Sequence, residues 1–207
     1  MNRDEAQERV REVQRVMERT TLYTLLPGTP SIVGGLLALA GCAVSLVMLR
    51  SLDFQDALVL STGVQVGFLL MWTLIGAAAV TYEIVWTRRA SVKQGISPMT
   101  RPARFAALSL SPSLIVAAVL TVQFLMDGWM QYIAPVWMMC YGTGLYAAGL
   151  FSVRLPRLLG LAFIVMGAAG LLWFAEYGIV LTAASFGLLH LVFGAVILVR
   201  SRRGNET

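Results

Sequence analysis

Six long apolar runs constrain this chain more than any other feature of its sequence. They lie at about 31–49, 57–85, 105–126, 131–151, 156–175 and 178–199. About 20 helical residues cross the roughly 30 Å hydrocarbon core of a bilayer. The runs are continuously rich in Leu, Ala and Gly, whereas the strands of a membrane barrel would alternate apolar and polar residues. The sequence therefore predicts an all-α integral membrane protein, built as a bundle of six transmembrane helices.

The composition excludes a soluble domain. Hydrophobic residues make up 57% of the 207 residues and charged residues only 13%, against roughly 45–50% and about 25% in typical soluble domains. With so few charges, a compact soluble fold of this length would leave much of its surface uncovered by polar groups.

The basic residues predict the topology. Of the 16 Lys and Arg residues, all but Arg50 fall before the first run, after the second, after the fourth or after the last. The connections on the other side contain Arg50 and four acidic residues, Asp53, Asp56, Asp127 and Glu176. By the positive-inside rule, both termini are cytoplasmic. The net charge of +5 is then a topological signal, and nothing in it indicates nucleic acid.

The first 26 residues predict a cytoplasmic amphipathic helix, followed by the bundle at 27–200 and a cytoplasmic tail at 201–207. Val10, Val13 and Met17 form the centre of an apolar stripe with heptad-like spacing. Three roles stay open for this helix: a solvated lead-in, a helix that pairs with a partner or a second copy, and one that docks under the bundle. The segment is too charged to be an ordinary signal peptide.

Small residues indicate close helix packing. Gly63 and Gly67 form a GxxxG pattern, and Gly144 has the same spacing to Ala148. Such faces pack either within the chain or between copies, and the sequence leaves both open. Cys42 ends a segment similar to a lipoprotein processing box, but apolar residues continue beyond it. We therefore interpret both it and Cys140 as packing residues.

Pro112 constrains the third helix. A helix from Pro112 to Met126 would rise only about 22 Å, too little to span the bilayer. The sequence therefore predicts that this helix begins near Phe105 and is kinked at Pro112.

Two polar residues within the runs are the main candidates for function, because ionisable groups are costly in a membrane. His190 is the only histidine and lies about 15 Å from the cytoplasmic end of its helix. It is either a proton relay or haem ligand, or a neutral imidazole hydrogen-bonded to a Tyr, a Thr or a carbonyl of a neighbouring helix. Glu83 either pairs with a basic residue near the cytoplasmic surface or belongs to a proton pathway with His190.

Four further polar residues are candidates to line a small pocket with His190: Gln65, Gln123, Tyr141 and Tyr146. No metal-ligand spacing, phosphate-binding loop, nucleophile elbow or HExxH pattern occurs, so the sequence predicts no catalytic residue, no metal and no cofactor. The connection after the second run is basic and suits anionic lipid headgroups, or is simply part of the topological signal. Its basic residues are Arg88, Arg89, Lys93, Arg101 and Arg104.

The C-terminal third carries a resemblance. Its segments are Tyr141-Gly142-x-Gly144-Leu-Tyr146-Ala-Ala-Gly149, Phe151-Ser-Val-Arg154, Arg157-Leu-Leu-Gly160 and Phe186-Gly-Leu-Leu-His190. Together they resemble uncharacterised six-transmembrane-helix bacterial proteins. The resemblance implies a bacterial inner membrane and supplies no activity.

Small packing residues without a chemical motif favour a non-catalytic protein. We expect an accessory or scaffold subunit that assembles with itself or with a membrane partner. The alternative is a small channel or carrier for a small solute.

Overall fold

A computed structural model of the protein describes residues 5, 7–9, 28–49, 62–93, 101–150 and 154–203. These residues are almost entirely helical, and no strand occurs among them, so the predicted all-α class is confirmed there. The seven α-helices are α1 (Gly28–Leu49), α2 (Thr62–Lys93), α3 (Arg101–Met126), α4 (Ile133–Leu150), α5 (Arg154–Trp173), α6 (Gly178–Thr182) and α7 (His190–Arg203). Val10, Val13 and Met17 of the predicted N-terminal helix lie outside the described residues.

Five helical stretches in the described chain are long and apolar enough to cross a membrane. They are Gly28–Met48, Gln65–Lys93, Arg104–Met126, Arg154–Trp173 and Ala175–Ser201. The last includes α6, a π-helical segment at Ala183–Leu189, and most of α7. The predicted fourth span corresponds to α4, which is not among the five. Its 18 residues would rise about 27 Å, but they include two tyrosines and a threonine, which lower its hydropathy.

The C-terminal end of α2 differs from the prediction. The helix continues to Lys93, eight residues beyond the predicted end of the second run, so Arg88, Arg89 and Lys93 belong to a helix. Placing them in a loop was wrong. Arg and Lys are good helix formers, and no Gly or Pro interrupts the sequence before Gly95. Arg101 and Arg104 likewise lie in the first turn of α3.

Proline residues mark where several helices begin. Pro30, Pro102, Pro135 and Pro156 each lie in the first turn of a helix, where the missing N–H would have no intrahelical acceptor. Pro112 is different, because it lies inside α3. The predicted start of the third helix ahead of Pro112 is confirmed.

Glycine residues set the distances between the packed helices. α1 packs against the last helical stretch, and α4 packs against α3 and α5. A Cβ atom on Gly28 would lie 2.7 Å from the Gly194 carbonyl oxygen, and one on Gly35 would lie 2.8 Å from that of Gly187. Gly142 meets α5 in the same way, with 2.7 Å to the Gly160 carbonyl oxygen. Only glycine permits backbones to approach this closely.

The glycines predicted to pack against another helix differ in how closely they are packed. A Cβ atom on Gly144 would lie 3.0 Å from Leu110 Cα, so this residue packs against α3. A Cβ atom on Gly67 would make one ordinary contact, 3.6 Å from Met48 Cε, and one on Gly63 would meet nothing within 4 Å. Among the described residues, the GxxxG pattern of α2 is therefore not filled by another helix of the chain.

Candidate functional site

A polar pair joins two helices inside the bundle. His190, the first residue of α7, is 8% exposed. Its Nε2 atom lies 3.0 Å from Tyr141 Oη on α4. This is the hydrogen bond to a tyrosine of a neighbouring helix that the burial of His190 predicts. A bond of this kind lets a buried imidazole satisfy one ring nitrogen without water.

Four rings surround this bond and define the aromatic cluster: Tyr141, Phe163, Phe186 and His190. Every pair of rings in it has centroids 4.9–6.0 Å apart. Phe186 and His190 stack with an interplanar angle of 11°, and Phe163 is completely buried. Aromatic pairs at these distances stabilise beyond the area that they bury. The cluster therefore holds the imidazole in one orientation.

The π-helical segment positions two members of the cluster. Residues Ala183–Leu189 form a widened turn that contains Phe186 and leads directly into His190. The small residues of this segment allow it to pack closely, because Ser185 is fully buried and Gly187 packs against Leu39 of α1. π-Helical turns are rare and are frequently found at functional sites. Sequence periodicity did not reveal this segment, since the whole run is apolar.

The second ring nitrogen of His190 is unusual. Nδ1 is buried and has no hydrogen-bond partner in the described structure. The backbone carbonyls of Ser185 and Phe186 interact electrostatically with the imidazole, although neither completes a hydrogen bond to Nδ1. The backbone of His190 is held separately, because Ser31 Oγ on α1 donates to its carbonyl oxygen at 3.2 Å.

Glu83 lies on α2, and its side chain is half-buried. In the described part of the chain, Glu83 forms no salt bridge, so the predicted pairing with a basic residue is not observed there. The contacts in the described structure join Tyr141 to His190.

The other candidate residues lie apart from the Tyr141–His190 pair. Gln123 is exposed and donates to Asp127 Oδ2 at 2.8 Å. Tyr146 is 39% exposed, because five residues rotate it about 140° around α4 from Tyr141. Gln65 lies 18 residues before Glu83, about 27 Å away along α2.

Two tryptophans make polar contacts that the sequence did not indicate. Trp72 Nε1 on α2 donates to Ser45 Oγ on α1 at 3.2 Å. Trp137 Nε1 on α4 donates to Thr121 Oγ1 on α3 at 2.8 Å. These bonds link neighbouring helices and explain why two indoles lie within the runs and not at their ends. Cys42 is buried, and its thiol donates to the Ile179 carbonyl oxygen at 3.6 Å.

Comparison with known proteins adds no assignment. No protein-family model, no curated protein and no solved structure matches this chain. Within the described residues, no group of three or more His, Cys, Asp or Glu side chains is arranged to hold a metal ion.

Proposed function

We propose that the protein is a non-catalytic, six-span subunit of the bacterial inner membrane, with cytoplasmic termini, that assembles with a second copy or with a membrane partner. Five membrane-length apolar helices support the membrane location. α4 is the sixth span in this proposal, because it packs between α3 and α5. The sorting of the basic residues supports the orientation.

The proposal rests on a difference in surroundings between two groups of glycines. A Cβ atom added to the glycines between α1 and the last helical stretch, or between α4 and α5, would lie about 3 Å or less from another helix backbone. Among the described residues, a Cβ atom on Gly63 would meet nothing within 4 Å, and one on Gly67 would meet only the end of a methionine side chain. Only 6% of the most apolar stretch of α2 is buried within the chain. The GxxxG face of α2 therefore has the small residues of a helix interface, and no helix of the described ranges covers it.

The same seams favour assembly over a channel. A channel needs a continuous polar path between helices, whereas Gly142 and Gly160 bring the backbones of α4 and α5 into contact. Gly28 and Gly194 do the same for α1 and α7. The polar groups between these helices form isolated pairs, such as Tyr141 with His190.

Anionic lipid is proposed as an additional partner. A shallow groove at the cytoplasmic end of α2 is lined by Arg88, Arg89, Val92 and Lys93. Basic side chains beside the end of a spanning helix attract anionic headgroups by about 1 kcal/mol each.

Substituting the GxxxG face tests the proposal. We expect Gly63→Ile together with Gly67→Ile to abolish self-association or co-purification of a partner in mild detergent, measured by native mass spectrometry. Ala118→Ile, on an exposed position of α3, is the matched control and should leave the assembly unchanged. Deletion of residues 2–24 tests the N-terminal segment in the same assay. A monomeric wild-type protein without a bound partner would refute the proposal.

A further inference from the structure

The GxxxG glycines and the basic groove of α2 lie on one face of the helix. Val92 follows Gly67 by 25 residues, which is close to seven helical turns, so both residues are on the same side. The residues between them continue this face at helical spacing, and all of these are exposed. In order, they are Leu70, Leu74, Ala78, Thr81, Val85 and Arg88.

This side of the helix, from Gly63 to Val92, is the open face of α2. Its two glycines are at one end, and the groove of basic residues is at the other. α1 packs on a different side of α2, where it contacts Trp72 and Ile75. The helices of the described ranges therefore leave the open face exposed over its length.

Two copies that meet along the open face would be related by a two-fold axis. Both copies insert in the same orientation, so the axis is perpendicular to the membrane and the two α2 helices are parallel. Glycine then faces glycine, and groove faces groove. Paired GxxxG helices commonly cross at about 40°. Val92 is about 38 Å from Gly67 along the helix, so two helices that touch at Gly67 diverge to about 25 Å at Val92.

The gap between the diverging helices matches the chemistry of an anionic phospholipid. Its walls are largely apolar as far as Val85, which suits acyl chains. At its wide end, each copy contributes the side chains of Arg88, Arg89 and Lys93. No acidic residue belongs to the open face, so these cations have no counter-charge on it. A negatively charged headgroup supplies that counter-charge, whereas a zwitterionic headgroup has no net charge to offer.

We propose that anionic phospholipid fills this gap and forms part of the interface of a homodimer. The inference rests on the assembly proposed above and specifies it, because the second subunit is another copy of this chain. The glycines join the two copies at one end of α2, and the lipid joins them where the helices diverge. A lipid that binds the dimer better than the monomer stabilises the dimer.

The lipid dependence of dimerisation tests the proposal. The purified full chain is placed in mild detergent with phosphatidylglycerol, which is anionic, or with phosphatidylcholine, which is zwitterionic. Native mass spectrometry then measures the ratio of monomer to dimer and the lipid that each retains. We expect phosphatidylglycerol to strengthen dimerisation at least about tenfold over phosphatidylcholine. We also expect a dimer to retain more phosphatidylglycerol than two monomers do.

Neutralising the groove should remove the difference between the two lipids. Arg88→Gln, Arg89→Gln and Lys93→Gln together leave the glycines unchanged but remove the cations that attract the headgroup. These three side chains are exposed, so the variant should fold as the wild type does. Its dimerisation should be equally strong in phosphatidylglycerol and phosphatidylcholine.

A matched control removes the same charge elsewhere. Arg104→Gln, Arg154→Gln and Arg200→Gln together neutralise three exposed cations on α3, α5 and α7, and this variant should keep the lipid effect. Equal dimerisation of the wild type in the two lipids, or the same loss of the lipid effect in both variants, would overturn the lipid-filled interface but not the glycine contact. A wild-type chain that stays monomeric in both lipids would refute both proposals.

Discussion

At the scale of single residues, the hydrogen bond between Tyr141 and His190 can be removed or replaced by substituting His190. An interhelical hydrogen bond in a membrane contributes about 0.6 kcal/mol on average. His190→Gln keeps both a donor and an acceptor and should therefore destabilise the protein by less than that. His190→Leu should cost more, because it leaves Tyr141 Oη without its partner and removes the stack on Phe186. The free energy of unfolding in mixed micelles measures both. Equal costs would show that the hydrogen bond contributes nothing.

A double-mutant cycle separates the bond from the packing. Tyr141→Phe keeps the ring in the aromatic cluster and removes only the hydroxyl. We expect Tyr141→Phe combined with His190→Leu to cost less than the sum of the two single changes, by about 0.5 kcal/mol or more, because residues in contact do not behave additively. The same cycle with Tyr146→Phe, exposed and distant from the cluster, should be additive within about 0.3–0.5 kcal/mol.

The sequence predicted the environment of His190 but only part of its neighbourhood. Depth in an apolar run required a buried, hydrogen-bonded imidazole, and the structure has one. The sequence did not identify Tyr141 as the hydrogen-bond partner, because the choice of partner depends on how α4 and α7 are rotated about their axes. The same rotation places Tyr146 at the surface. The structure has Gln123 donating to Asp127, one turn later in the chain.

At the scale of helices, two adjacent glycines of α1 give a matched pair. A Cβ atom on Gly35 would lie 2.8 Å from the Gly187 carbonyl oxygen, and one on Gly34 would meet nothing within 4 Å. Gly35→Ala should therefore destabilise the protein by about 1–3 kcal/mol, as overpacked sites do. Gly34→Ala should be neutral or stabilising by up to about 1 kcal/mol, since alanine favours helix. Thermal unfolding in detergent measures the difference. Similar effects at both positions would contradict close packing of α1 on the last helical stretch.

Helices were more predictable than their ends. Long apolar runs must be helical in a membrane because every backbone group needs a partner. The end of α2 was placed too early because a charge was taken to end the run, whereas Arg88 and Lys93 extend into water from a continuing helix. The π-helical segment was missed because a widened turn leaves no mark in a run that is apolar on every side.

At the scale of the whole molecule, the number of crossings decides the sides on which the termini lie. With α4 as a sixth span, residues 1 and 207 lie on the same side of the membrane, which is the cytoplasmic side in the proposed orientation. Without α4, they lie on opposite sides. We expect reporter fusions at residue 1 and after residue 207 to read cytoplasmic, and a reporter inserted at Gly128, a turn residue with positive φ, to read external. Opposite readings for the two termini would remove α4 from the spans.

The pairing of α1 with the last helical stretch also sets an order of events during synthesis. Ser31 meets a residue 159 positions later, and Cys42 meets one 137 positions later. At roughly 5–20 residues per second, α1 waits several seconds or longer in the bilayer before its partner emerges from the ribosome. During that wait its glycine face is open to any neighbouring helix, including one from another nascent chain. A stop codon before residue 178 would leave that face permanently uncovered, so truncated chains should be substrates for membrane quality control, whatever their remaining helices do.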